Sequence, residues 1–421
     1  MNHPDHIDIF GTADSIPFDY IEKMRAAGPV LWDENLRGWV VLSYDLCRQI
    51  LINEADFNHN YATIDDDTLE IKGGHNIVVS TGATHARLHS MAIKVFAPRN
   101  IEGLVRDHVQ PVVDALIDRF EPGVPVDLRE ELCNQVPGRT MMSMMGMEWA
   151  DDDMVQRLVD LHDCVISFCG RTRAASSDEE VEAAKEASRQ LNEVLLPVVR
   201  DREVHRGSDL LSLLWNEAPA ILDDCDEKAI VANAREFFLG GFDTTVHALS
   251  NGLYLLLSDP ELRARVEADR GATLDAFGEE VLRVWGVIQN RTRIAARDLE
   301  LGGRQIRAGD RIIPYLYAAN RDPAKFGVCP GQIALDRPNP KEHLAFITGP
   351  RTCVAAPLAR AEMRTVFTAV LDRLKGVRLA DSGAAPAYRG AFTRSWCPLQ
   401  VVFDALAPAA APAEAPVEVE A

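Results

Sequence analysis

No apolar run in this 421-residue chain approaches the roughly 20 residues that a helix needs to span a bilayer, so no membrane anchor is expected. The first twenty residues, MNHPDHIDIFGTADSIPFDY, carry neither a basic leader nor the apolar stretch of a secretory signal. A soluble, cytoplasmic protein is the expectation. Basic residues are in the minority: 44 Lys and Arg stand against 64 Asp and Glu, a formal net charge of -20. That balance argues against nucleic acid or an anionic membrane surface as a partner. Cysteine pairs are missing too. The eight cysteines, at 47, 133, 164, 169, 225, 329, 353 and 397, form no C-x-x-C unit and lack the spacing of a compact zinc site. In a reducing compartment disulfides are disfavoured, and Cys164 and Cys169, in an apolar helical run, are expected in the core. No internal repeat is visible. No strand–helix alternation and no G-x-G-x-x-G after a strand points to a dinucleotide-binding unit.

What is present is mostly helical periodicity. The spacing predicts helices over 44–53, 83–96, 101–120, 127–145, 152–168, 178–202, 274–285 and 355–374, and one of 33 residues over 226–258. At 1.5 Å per residue the last is about 50 Å long, enough to cross a whole domain. Its end is marked by Asp259 and by Pro260, which suits the first turn of another helix. MMSMMGM, at 141–147, reads as a Met-rich core helix. Alternation with Gly-Gly and Ala-Gly-Asp turns in LELGGRQIRAGDRIIPYLY, from 299, predicts short antiparallel strands, as do 387–397 and 399–403. A long polar loop over about 57–82 is of the kind that is usually functional. The fold class expected is mainly α with a minor antiparallel β portion: one domain over 1–404, then a disordered Ala/Pro/Glu-rich tail over 405–421.

Three segments carry chemistry. In GPRTCVAAP, at 349–357, Cys353 sits in a Gly/Pro-punctuated loop just before a helix. Loop N–H groups, the helix start and the nearby Arg351 cation all favour thiolate over thiol. The cysteine could be filler, half of a disulfide, a nucleophile for which the nearest histidine in sequence is His343, or a metal ligand. A lone thiolate suits haem iron, held by sulfur on one axial side. In GGFDTT, at 240–245, two glycines inside the long helix cost about 1 kcal/mol each relative to alanine. Either something approaches the helix there or two helices cross closely. Asp243 and Thr244 follow, an acid and a hydroxyl that can relay protons; Thr244 can also bond back to the carbonyl four residues earlier. Glu280 and Arg283, three apart on a helix, read alone as a surface ion pair worth a few tenths of a kcal/mol.

In this order and spacing the segments resemble the cytochrome P450 family of haem-thiolate monooxygenases, over roughly residues 10 to 404. The cysteine loop matches F-x-x-G-x-R/H-x-C-x-G at Phe346, Gly349, Arg351 and Cys353, with Ala355 where glycine is usual. A/G-G-x-D/E-T-T matches Gly240, Gly241, Asp243, Thr244 and Thr245. E-x-x-R matches Glu280 and Arg283, and its third member matches Arg337. The resemblance implies haem b, iron protoporphyrin IX, with Cys353 as proximal thiolate. It implies glycines 240 and 241 that let the helix approach the haem, Thr244 to hydrogen-bond oxygen, and Asp243 to bring protons. Glu280, Arg283 and Arg337 would form a buried structural ion network. Propionate partners would be His85, His89, Arg293 and Arg351; His89 departs from the usual arginine. Ala355 requires a local φ that suits a non-glycine residue.

The implied activity is hydroxylation or epoxidation of a small-to-medium hydrophobic substrate, a terpenoid, an aromatic or similar. O2 and electrons would be used, the latter from a separate soluble ferredoxin with an NAD(P)H-dependent reductase, by a monomeric enzyme. Lys94, Arg99, Arg351, Arg360 and Arg364 are candidates for a basic docking patch. Pocket residues would include Phe168, Phe237, Leu239, Val287, Ile288 and Phe392. Glu236, one turn before the glycines, is expected to face solvent or an ion-pair partner. Alternatives are a peroxide-driven haem-thiolate oxidase, against which the retained Asp243-Thr244 argues, and a non-catalytic haem-binding module.

Overall fold

The computed structural model describes residues 6–9, 15–59, 64–169, 176–381, 383–390 and 393–409. At its centre runs the long helix Glu227–Ser258. Asp226 starts it by accepting the Ala229 N–H at 2.9 Å. Asp259 ends it and caps the next helix, Pro260–Ala268, with Pro260 in the first turn. Local capping chemistry thus places both ends where the sequence put them. The long helix packs on the helices Val136–Met144, Asp178–Val204 and Ala356–Arg373. At Gly252 a Cβ would collide with the Phe367 ring, so the glycine permits the close crossing with Ala356–Arg373.

The other helices follow the periodic pattern with local breaks. The expected helix 101–120 is Pro98–Leu104, a π turn Val105–Val109, then Gln110–Ile117. Pro111 has no N–H to give the helical ladder, and the wider turn absorbs the loss. The expected helix 127–145 is likewise a strand Val126–Asp127, a π turn Arg129–Cys133 and the helix Val136–Met144, with Pro137 in its first turn. In that helix Met141, Met142 and Met144 are buried. Cys164 is half-buried, and the side chain of Cys169 lies outside the described ones.

The largest sheet is six-stranded. From edge to edge it runs His6–Ile7, Val30–Asp33, Gly38–Val41, Arg311–Pro314, Arg293–Ala295 and Phe57–His59. It is mixed, since Gly38–Val41 pairs in parallel with Arg311–Pro314 and His6–Ile7 in parallel with Val30–Asp33. Gly38–Val41 and Arg311–Pro314 lie hundreds of residues apart, and local alternation carries no information about such pairing. Leu299–Leu301 and Arg304–Ile306 form the expected antiparallel hairpin around Gly302-Gly303. Ala405–Leu406, expected to begin the disordered tail, instead pairs with Leu374–Lys375, and the Ala407 N–H donates to the Arg373 carbonyl at 2.8 Å. Residues 410–421 lie outside the described residues. Among the described residues no helix is long and apolar enough to cross a membrane.

Candidate active site

The cysteine loop and the glycines of the long helix line one cavity of about 420 Å³. The loop is shaped by two left-handed residues, Ile347 at φ 52° and Gly349 at φ 82°. Gly349 has no room for a side chain, because a Cβ would lie 2.9 Å from Ile52 Cα, and only glycine adopts that φ without cost. The turn Gly349–Arg351 then delivers Cys353, whose N–H donates to the Phe346 carbonyl at 3.0 Å. Ala355 caps the following helix at φ -91°, so the backbone there does not require glycine.

Cys353 is accessible from the cavity yet enclosed by the surrounding protein. Burial pushes its thiol up, against the N–H groups of Ala355 and Ala356 and the charges of Arg291 and Arg360. The loop and helix groups act in the direction the sequence suggested, but burial outweighs them. A coordinated cation is what would drive the proton off. Among the described residues no three His, Cys, Asp or Glu converge as a metal cage.

Across the cavity the two glycines do different things. Gly240 has open space where a Cβ would point, whereas a Cβ on Gly241 would lie 3.0 Å from Met141 Sδ. Thr244 Oγ1 donates back to the Gly240 carbonyl at 3.1 Å. Asp243 Oδ1 lies 3.2 Å from His247 Nε2. Burial pushes its carboxyl up, but the charge and hydrogen bond of His247, with His162 and Arg129 behind, prevail and lower it to about 2.

The cavity lining is rich in basic side chains: Arg291, Arg293 and Arg351, with the imidazoles of His59, His85 and His89. Register explains part of this: His59 pairs directly with Arg293 on adjacent strands, which brings their side chains together on one face. Arg293 is buried; among the described residues only its Nη1 is used, on the Thr292 carbonyl at 3.1 Å, and Nε and Nη2 have no partner. Burial, then Arg351 and Arg291, lower Arg293 to about 10. Burial, then Arg351 and His89, lower His85 to about 4. Burial, then the three arginines, lower His59 to about 2. Buried donors without acceptors and mutually repelling cations call for an anion. The paired carboxylates of haem fit that requirement, and the Cys353 sulfur lines the same cavity.

Two expected members of the anion site are committed elsewhere. Arg351 gives Nε to Glu54 Oε1 at 2.5 Å, Nη2 to the Ser80 carbonyl at 2.9 Å and Nη1 to the Val78 carbonyl at 3.3 Å. His89 Nε2 lies 2.7 Å from the Thr352 carbonyl. Both tie the cysteine loop to neighbouring segments. His59 and Arg291 were not singled out from sequence. Arg291 was legible as the alternate residue before Arg293; His59 depended on strand pairing.

Glu280 and Arg283 are not a surface pair. Both side chains are 0% exposed, and they bond in bidentate fashion at 2.6 and 2.7 Å. Arg337 Nε reaches Glu280 Oε1 at 2.9 Å, and Glu280 Oε2 accepts the Ala334 N–H at 2.9 Å. Arg283 also donates to the Asn320 and Gln332 carbonyls at 2.9 and 3.0 Å. The network clamps the irregular segment before the cysteine loop onto the helix Arg270–Val284.

Phe237, Leu239, Val287 and Ile288 line the cavity, as does Phe346. Phe168 is buried in the main core instead; Ile166, roughly half a turn away on the helix Asp152–Cys169, takes the lining position. Phe392 lies outside the described residues. Glu236 faces the cavity rather than solvent and has no ion-pair partner among the described residues; Asn76 Nδ2 lies 3.4 Å from its Oε2.

The model of the family Cytochrome P450 matches residues 18–378, and the chain belongs to that family. It is similar to cytochrome P450 monooxygenase PikC of Streptomyces venezuelae, 29% identical over 372 residues, 86% of this chain and 85% of that one. It is also similar to the mycinamicin IV hydroxylase/epoxidase of Micromonospora griseorubida, 29% identical over 348 residues, 81% of this chain and 83% of that one. Among solved structures, epothilone D-bound cytochrome P450epoK superposes with a TM-score of 0.83 at 22% identity, covering 94% of this chain and 99% of that one. Cytochrome P450 enzyme CxnD superposes with a TM-score of 0.85 at 22% identity, covering 97% and 100%. The architecture is that of the family, and the enzyme is a cytochrome P450 monooxygenase.

Proposed function

We propose that this chain holds haem b through the Cys353 thiolate and oxidises a small-to-medium hydrophobic molecule by hydroxylation or epoxidation. The observation that carries the reading is that Cys353 lines the same cavity as Gly240, Asp243 and Thr244, together with an arginine that has two nitrogens unpartnered among the described residues. Haem, when bound, supplies the oxygen and electron-transfer chemistry. The chain's own residues bind, orient and deliver protons. Arg293, with His59 and His85 beside it, would take the propionates. Gly240 keeps the helix surface clear. The Thr244 hydroxyl, now spent on the Gly240 carbonyl, is the group that can turn into the cavity, with the Asp243 carboxylate next to it as the source of protons.

A cavity lined by Phe96, Phe237, Leu239, Val287 and Ile288 favours an apolar substrate. Glu236, on the same helix and lining the same cavity, would orient a hydroxyl or other donor. Relatives named for mycinamicin and epothilone agree with an apolar substrate of natural-product type. Two electrons would come from a soluble ferredoxin and its NAD(P)H-dependent reductase.

The test is turnover with a reconstituted ferredoxin chain on ligands first selected by their shift of the haem spin state. Oxygenated product in the native enzyme is expected. Thr244→Ala is expected to keep electron consumption while product per electron falls roughly tenfold or more, as loss of one placed proton donor costs. Unchanged coupling in Thr244→Ala would favour a peroxide-driven route, and no product with any spin-shifting ligand would contradict the oxygenase reading.

A further inference from the structure

Asp243 belongs to two cavities. Besides the haem-side cavity it lines a second, polar one of about 240 Å³, walled by Arg129, Glu130, Gln135, Asp160 and Asp163. Its bonded neighbour is His247, one turn on and mostly buried, with Nε2 3.2 Å from Asp243 Oδ1. The other ring nitrogen, Nδ1, lies 2.7 Å from Ser395 Oγ, on the strand Ser395–Cys397. The imidazole is therefore fixed at both ends, between a carboxylate and a hydroxyl.

We propose that His247 is the positioning residue and proton store of this active site: it returns a proton to Asp243 after each one that Asp243 hands toward Thr244, and water in the polar cavity, which Asp243 itself lines, is the outside source. The inference rests on the oxygenase reading above. A carboxylate that stays ionised down to about pH 2 holds no proton of its own to give at neutral pH, so the proton must be loaded onto it from a neighbour at the moment of use. Histidine is the side chain suited to carry one there. The transfer balances simply. The Nε2–H bond of the imidazolium breaks and an O–H bond forms on Asp243 Oδ1. The neutral ring keeps its Nδ1–H, donated to Ser395 Oγ, and Nε2 is recharged through Asp243, whose carboxylate takes a proton from water in the polar cavity and passes it on.

Other charged and titratable groups around the pair are few. Arg129 comes from the π turn Arg129–Cys133 and His162 from the helix Asp152–Cys169, and both favour the ionised Asp243. Asp163 holds His162 Nδ1 at 3.0 Å. Glu362, on the helix Ala356–Arg373, stands near Thr245. None of them is bonded to Asp243 as His247 is.

The experiment compares native enzyme with His247→Asn, which can still donate a hydrogen bond to Asp243 but holds no spare proton, and with the milder Ser395→Ala. Infrared spectra of the haem-loaded proteins are titrated with acid, the Asp243 band being assigned by its loss in Asp243→Asn. In native enzyme no protonated Asp243 is expected in mild acid; in His247→Asn its band appears there, because burial then acts on the carboxyl against only the smaller pull of His162 and Arg129. In turnover, His247→Asn is expected to lose product per electron by about tenfold with a larger solvent isotope effect, and Ser395→Ala to change in the same direction by less. The infrared arm needs no turnover, and native product formation is measured alongside, so failure of the oxygenase reading and failure of the relay are distinguishable. Absence of the carboxyl band in His247→Asn, or full coupling in that variant, overturns the proposal.

Discussion

Arg293 shows how far single side chains define this site. Its residue type and position were legible from the motif order, but its unsatisfied Nε and Nη2 were not, because satisfaction depends on which carbonyls and carboxylates the fold brings near. Leucine in its place removes the buried cation and its two open donors. Arg293→Leu is expected to weaken haem retention by roughly tenfold or more, on the scale of a lost charge-assisted hydrogen bond, while the apoprotein gains stability. Haem dissociation measured by transfer to a scavenging globin checks the first point, and urea unfolding of the apoprotein the second. Glu362 offers a pH test. Burial pushes its carboxyl up to about 8 against the nearby Thr140 and Thr245 hydroxyls. A carboxyl with a raised folded pKa binds its proton more tightly in the native state. Its contribution is therefore fully present below the unfolded value near 4.5 and fades as pH rises toward about 8. Glu362→Gln should keep native stability at low pH and lose less of it between those limits; identical urea midpoints against pH for the two proteins would contradict the placement. Ala355 and His89, which depart from the family motif, have local answers: a φ of -91° that alanine accepts and a carbonyl that the shorter ring reaches.

At the scale of elements, the helices were readable to within a few residues wherever a cap or a proline marks an end, as at Asp226, Asp259 and Pro260. Capping is local chemistry and so is written locally. Where the periodic pattern ran through Pro111 and Pro137, the structure inserts wider turns that hydrophobic spacing cannot show. The parallel pairing of Gly38–Val41 with Arg311–Pro314 was illegible for the opposite reason, since it joins segments far apart in the chain. Glu280 and Arg283 illustrate the same limit. Spacing makes them neighbours on a helix, but only the fold buries them and adds Arg337 and the Ala334 N–H. Burial pushes Glu280 up and Arg283 first, then the others, pull it below the usual carboxylate range. Removing one member strands a buried charge. Glu280→Gln is expected to cost about 3–5 kcal/mol, read as a lower urea midpoint with an unchanged slope. A change under about 1 kcal/mol would mean that the network does not clamp the segment before the cysteine loop.

For the molecule as a whole, the order of motifs along the chain was enough to anticipate a mainly helical domain built on one central helix, because each motif needs its element at the cavity. Surface properties were less legible. Of the five residues offered as a basic docking patch, Arg351 is turned inward onto Glu54, and Lys94, Arg360 and Arg364 are each matched by a carboxylate, Glu217, Glu279 and Asp275. Pairing leaves less free positive charge on that patch than the sequence suggests, with Arg99 its exposed remainder. The interior is what the account depends on, and above all Cys353 on the cavity that Gly240 also lines. The most direct measurement is the Soret spectrum of the haem-loaded protein, reduced and treated with carbon monoxide, for native enzyme and Cys353→Ala. The red-shifted band of a thiolate-ligated haem is expected in the native protein and its loss in the variant. A native protein that takes up no haem, or a variant that keeps the thiolate band, would contradict the assignment of Cys353.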